Sequence, residues 1–143
     1  MSKSHRTAAR ILFFLYLAAV LVLCFAQFKS TPDVPTTFLG IPTDKVVHFC
    51  MFFPFPILAF LAFDKYTESI PATLAFAGVS FVVGFLLACG TEWGQATLTN
   101  YRSGDRYDLL SDTLALAAGT LLVVFWDIFK QCRGKKRQKP ESR

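Results

Sequence analysis

The chain has 143 residues, of which 53% are hydrophobic, 15% aromatic and 17% charged, with a formal net charge of +5 and a mean hydropathy of +0.42. An ordinary soluble domain is roughly 45–50% apolar and about 25% charged, and 16 Phe are too many for one small water-surrounded core. These figures exclude a disordered tail protein, a collagen-like repeat and a soluble nucleic-acid module; the length admits one domain.

A basic N-terminus (1–10) carries Lys3, Arg6 and Arg10 and leads into the first apolar run, 11–28. A cleaved leader is the competing reading. The run is longer than the ~7–15 apolar residues of such a segment, so a retained helix is expected. Next, Thr31-Pro32-Asp33-Val34-Pro35, Gly40 and Pro42 predict an extended, turn-rich loop. The second run, 46–63, contains His48 and two prolines, Pro54 and Pro56. A membrane-helix proline removes a backbone donor and bends the helix, so a kink is expected there.

The third run, 70–90, has no charge, and the fourth, 109–129, has Asp112 near its start and Asp127 near its end. Each run is about the length of helix that crosses a ~30 Å hydrocarbon layer. Helix is the form expected, because an open strand leaves backbone groups unpaired in lipid. The fold class is therefore all-α: a four-transmembrane-helix bundle over 11–129, followed by a basic tail, 130–143. Cys24, Cys50, Cys89 and Cys132 show no paired ligand spacing.

Lysine and arginine set the orientation. Lys3, Arg6, Arg10, Lys65 and the tail residues Lys130, Arg133, Lys135, Lys136, Arg137, Lys139 and Arg143 fall on one side. Lys29, Lys45, Arg102 and Arg106 fall on the other. The positive-inside rule puts both termini in the cytoplasm. The tail then reads as a topology anchor that touches anionic lipid headgroups, with no nucleic-acid partner.

In this topology the polar residues gather at the outer face. Asp44 and Lys45 lie at the mouth of the second helix with His48 one turn deeper, Glu92 and Gln95 at the end of the third, and Arg102, Asp105, Arg106, Asp108 and Asp112 lead into the fourth. Asp44 and His48 share a face, as do Glu92 and Gln95. Small-residue stripes, Ser80-Gly84-Ala88 and Ser111-Ala115-Gly119, are expected to face each other and bring Glu92 beside Asp108 and Asp112. The inner face offers no comparable set from separate helices. Charges at such depth cost roughly 2.5–3.5 kcal/mol on insertion scales, so they pair or serve function. Five acids exceed the nearby cations, which leaves room for a proton, a cation or a cationic ligand.

Two chemistries fit. Arg102 and Arg106 could hold a phosphate or carboxylate while Asp44, Lys45, Gln95, Asp105 and Asp112 line a binding pocket. Alternatively His48, Glu92 and Asp108 could carry acid–base catalysis on a lipid-linked substrate. No Ser or Cys nucleophile is placed by a motif, and no organic cofactor is implied. Oxygen-rich donors, with or without His48, would suit a divalent cation, although no ligand spacing is diagnostic.

Asp44-Lys45-x-x-His48-Phe49, Glu92-x-x-Gln95 and Arg102-Ser103-x-Asp105-x-x-Asp108-Leu109-Leu110 together resemble the VanZ-like family of small bacterial membrane proteins, over roughly 44–119. That family often has Asn where this chain has Asp112 and Gly where it has Ala115, so the resemblance carries no role to Asp112. It implies a multi-pass protein of the bacterial cytoplasmic membrane. The family name comes from a member linked to teicoplanin resistance. The resemblance therefore implies envelope biology, with membrane lipid, a lipid-linked wall precursor or a glycopeptide as partner.

Overall fold

The computed structural model describes residues 3–25, 37–38, 40–98 and 105–137, the last four of these without their side chains. Five helical segments make up four rods: α1 (Lys3–Phe25), α2 (Thr43–Phe52) continued by α3 (Pro54–Ala62), α4 (Ile70–Leu98) and α5 (Arg106–Arg137). All four rods are long and apolar enough to cross a membrane. Their outward residues, such as Val79, Val82 and Leu86 on α4 and Leu121 and Phe125 on α5, are exposed as lipid-facing side chains would be.

The rods overrun the apolar runs. α1 takes in the basic residues from Lys3 onward, while 26–28 lie outside the described residues. α4 continues eight residues past Gly90, and α5 runs from Arg106 through the first part of the basic tail. Hydropathy reports the hydrocarbon layer, but backbone hydrogen bonding continues into polar sequence. At the end of α5 lysine and arginine are good helix formers and lie at the negative end of the helix dipole.

The expected kink is a break in the second rod at Phe53. Pro54 and Pro56 have no N–H, so the carbonyls of Cys50 and Phe52 lose their intrahelical donors. Phe53 keeps helical dihedrals (φ −57°, ψ −40°), so the rod is interrupted in its hydrogen bonds more than in its course. Beside the break, the Tyr16 hydroxyl of α1 donates to the Met51 carbonyl. Gly119 of α5 packs here too. A Cβ on it would lie 2.6 Å from both the Phe53 carbonyl oxygen and Pro56 Cγ.

That contact corrects the expected pairing of stripes. Ser111 and Gly119 turn toward the second rod, where the Ser111 hydroxyl donates to the Lys45 carbonyl at 2.6 Å. Gly84 of α4 instead receives Leu116 of α5 and Phe55 of α3. Both glycines allow close approach, but to different neighbours. The apolar core, including Phe13, Val20, Phe52, Phe55, Ala88, Ala115 and Leu116, runs between the rods.

Before α2, Thr37–Phe38 (β1) and Ile41–Pro42 (β2) pair antiparallel, Thr37 with Pro42 and Phe38 with Ile41. Gly40 closes this turn at φ 80°, a conformation that favours glycine.

The end of the bundle opposite this hairpin has its own polar lattice, which the sequence reading did not expect. Asp127 of α5 is buried and accepts from the Thr73 hydroxyl and the Gln131 amide, both at 2.7 Å. Gln131 also donates to Thr73 Oγ1 and to the Thr67 carbonyl. Arg6 pairs with Asp64 at 2.8 Å, and Arg10 donates to the Ala62 carbonyl at the end of α3. The isolated positions of Thr73 and Gln131 gave no signal of this convergence.

Candidate functional site

The start of α5 is built by Asp105. Its Oδ1 accepts the Tyr107 N–H at 2.9 Å, and its carbonyl accepts from Asp108 and Leu109. This is the work of an N-cap, and an Asp just ahead of the fourth segment was the available sequence signal. Glu92 Oε2 of α4 accepts the Asp105 N–H at 3.0 Å and ties the end of one rod to the start of the next.

Lys45, on the first turn of α2, gathers the acids. Its Nζ lies 3.0 Å from Asp44 Oδ2 and also donates to Asp105 Oδ2 and Asp108 Oδ1. The Lys45 hydrogen bond, followed by that from the Tyr107 N–H, holds the Asp105 carboxyl below the usual aspartate range. Among the described residues Lys45 is the cation that contacts all three acids, and Arg106 is exposed. Arg102 lies outside the described residues.

One turn deeper, His48 is 1% exposed. Its Nδ1 lies 3.1 Å from Asp112 Oδ1 and 3.4 Å from Oδ2, the geometry of a ring N–H donating into a carboxylate. Its Nε2 faces Asp108 Oδ2 at 3.6 Å, and Glu92 Oε1 lies 3.8 Å from Nδ1. The i, i+4 spacing of Asp44 and His48 and the helical spacing of Asp108 and Asp112 thus feed one cluster from three rods. Gln95 serves elsewhere: its amide donates to the Cys24 carbonyl of α1 at 2.8 Å.

Beside this cluster lies a groove of about 500 Å³ that sequence reasoning missed. The hairpin supplies Phe38 and Ile41, α2 supplies Phe49, and α5 supplies Leu110 and Leu114. Lys45 and Ser111 also line it. The available signal was the set of apolar residues, Phe38, Ile41, Tyr107 and Leu110, flanking the acidic stretches.

The family model for VanZ/LLP1 matches residues 13–129. The chain belongs to the VanZ/LLP1 family. The match begins within α1 and ends within α5, so the polar cluster and the groove lie within the VanZ/LLP1 region of the chain. No curated protein and no solved structure matches it. Family and architecture together make it a VanZ-like, multi-pass membrane protein.

Proposed function

We propose that this VanZ-like protein sits in the bacterial cytoplasmic membrane and binds a lipid-like molecule of the cell envelope at its extracytoplasmic end. The apolar chain of that molecule lies in the groove between the hairpin, α2 and α5, and its polar head meets Lys45 and the neighbouring acids. The observation that carries this reading is the groove itself. It is apolar along Phe38, Ile41, Phe49, Leu110 and Leu114, and it has Lys45 as its charged edge. Its volume falls in the range of small-molecule sites, roughly 300–1,000 Å³. The excess of Lys and Arg at the opposite end supports the orientation. The VanZ link to teicoplanin resistance supports an envelope role, with a lipid-linked wall precursor as occupant and lowered glycopeptide susceptibility as outcome.

The test is lipid analysis of the purified protein by native mass spectrometry. An amphiphile should be retained at about one per chain, and Leu114→Trp, which fills the groove, should reduce it severalfold. Retention that matches bulk lipid and ignores Leu114→Trp would remove the proposal.

A second reading rests on His48. A buried imidazole with one nitrogen on a carboxylate and the other facing an acid is equipped for general acid–base work. This reading makes the protein a small intramembrane enzyme acting on the same lipid-linked substrate. Turnover of lipid-linked wall precursors by purified protein, abolished in His48→Gln, separates it from simple binding.

A further inference from the structure

We infer that His48, Glu92 and Asp108 form a binding site for a divalent cation of the Mn²⁺ or Zn²⁺ type. This site is argued from the cluster alone and stands whatever occupies the groove. One donor atom from each of the three residues lies within 4.8 Å of the other two. They come from α2, α4 and α5, so three rods fix the donors.

Acid clustering would not suffice, but two buried donor atoms of this cluster have no hydrogen-bond partner. These are His48 Nε2 and Glu92 Oε1, on side chains 1% and 7% exposed by residue. The other atom of each group is already committed. Nδ1 is held by Asp112, and Oε2 accepts the Asp105 N–H. A carboxylate on Nδ1–H fixes the tautomer that leaves the Nε2 lone pair facing inward, as the outer partner of a metal-bound histidine does.

Asp108 is divided in the same way. Its Oδ1 takes Lys45, while Oδ2 faces Nε2 at 3.6 Å. Two lone-pair donors at that separation repel unless positive charge lies between them. Donors bound about 2.0–2.2 Å from a tetrahedral ion sit about 3.3–3.6 Å apart, which this spacing meets. One imidazole with carboxylates suits Mn²⁺ or Zn²⁺ better than the all-oxygen cages of Ca²⁺ or Mg²⁺. The neighbouring acid trio, Asp44, Asp105 and Asp108, does not compete, because Lys45 Nζ already occupies it.

The experiment titrates full-length, EDTA-treated protein in detergent with Mn²⁺ and follows free and bound ion by electron paramagnetic resonance. The expected result is one tight equivalent per chain, displaced by Zn²⁺, with nitrogen coupling from one imidazole in the pulsed spectrum. His48→Gln should lose the nitrogen coupling and at least tenfold in affinity. Asp112→Asn should weaken binding about 10–100-fold while keeping the coupling. Asp127→Asn, at the other end of the bundle, should bind as the parent does. Absence of a stoichiometric site, or binding without nitrogen coupling, overturns the inference. In that case a proton shared between Nε2 and Asp108 is what the pair holds. The parent spectrum decides this even if His48→Gln fails to fold.

Discussion

His48 and Asp112 stand 64 positions apart, yet the imidazole Nδ1 of one lies 3.1 Å from a carboxylate oxygen of the other, both fully enclosed by the bundle. This contact joins α2 to α5 one turn below the Lys45 cluster. Asp112→Asn keeps a carbonyl to accept the ring N–H, so the fold should hold. Asp112→Leu leaves that N–H buried and unmet, and should cost about 1–3 kcal/mol in detergent unfolding. Equal stability of the two variants would contradict the contact.

The glycines separate backbone contacts from side-chain contacts. Gly119→Ala would press its methyl onto the Phe53 carbonyl at the proline break, where the rod cannot yield, and should destabilise by roughly 1–3 kcal/mol. Gly84→Ala meets only Leu116 and Phe55 side chains and should cost less. Gly78→Ala meets nothing within 4 Å and should be neutral or stabilising by roughly 0.4–1 kcal/mol. Denaturation midpoints of the three variants check the order.

Much of this architecture is legible in the sequence because lipid imposes a simple rule: long apolar runs become helices. The four rods, the proline break and the gathering of acids at one end follow from it. The choice of neighbours does not. Small residues mark where a helix can be approached closely, but not by what: Gly119 meets the second rod at Phe53 and Pro56, and Gly84 meets Leu116 and Phe55. Gln95 shares the face of Glu92 in the sequence, yet it bonds to α1, because its side chain reaches the Cys24 carbonyl. The resemblance over 44–119 named the right family, and the cluster of His48, Glu92, Asp108 and Asp112 needed three dimensions to become a donor set. Lys45 and Asp127 show the same limit: each bonds side chains from another element that no local spacing links to it.

The lattice at the opposite end is structural. Asp127→Leu removes the buried carboxylate that the Thr73 hydroxyl and the Gln131 amide share, and should cost about 1–3 kcal/mol. Lipid retention per folded chain should not change. A selective loss of bound lipid at unchanged stability would assign Asp127 to the groove instead.

Asp105 gives a pH signature. Its carboxyl is held low by Lys45 and by the Tyr107 N–H, so the unfolded chain takes up this proton more readily than the folded one. Its stabilising contribution is complete above about pH 4, the range of an unfolded aspartate, and is lost as pH falls through the lower folded value. Asp105→Asn should therefore flatten the acid side of the stability profile from about pH 4 downward. An acid limb as steep as that of the parent would show that Asp105 contributes nothing to it.

The functional account stands on where the cluster faces. Asp44→Cys places a thiol at a site whose side chain is 45% exposed beside Lys45, while the native Cys132 is exposed on α5 at the opposite end of the bundle. Both can be read with a membrane-impermeant maleimide on intact spheroplasts, each as the single cysteine of its variant. Labelling at position 44 from outside, with Cys132 reached only after permeabilisation, is the result expected. Labelling at Cys132 alone in intact cells would turn the groove and its acids toward the cytoplasm and contradict an envelope-facing site.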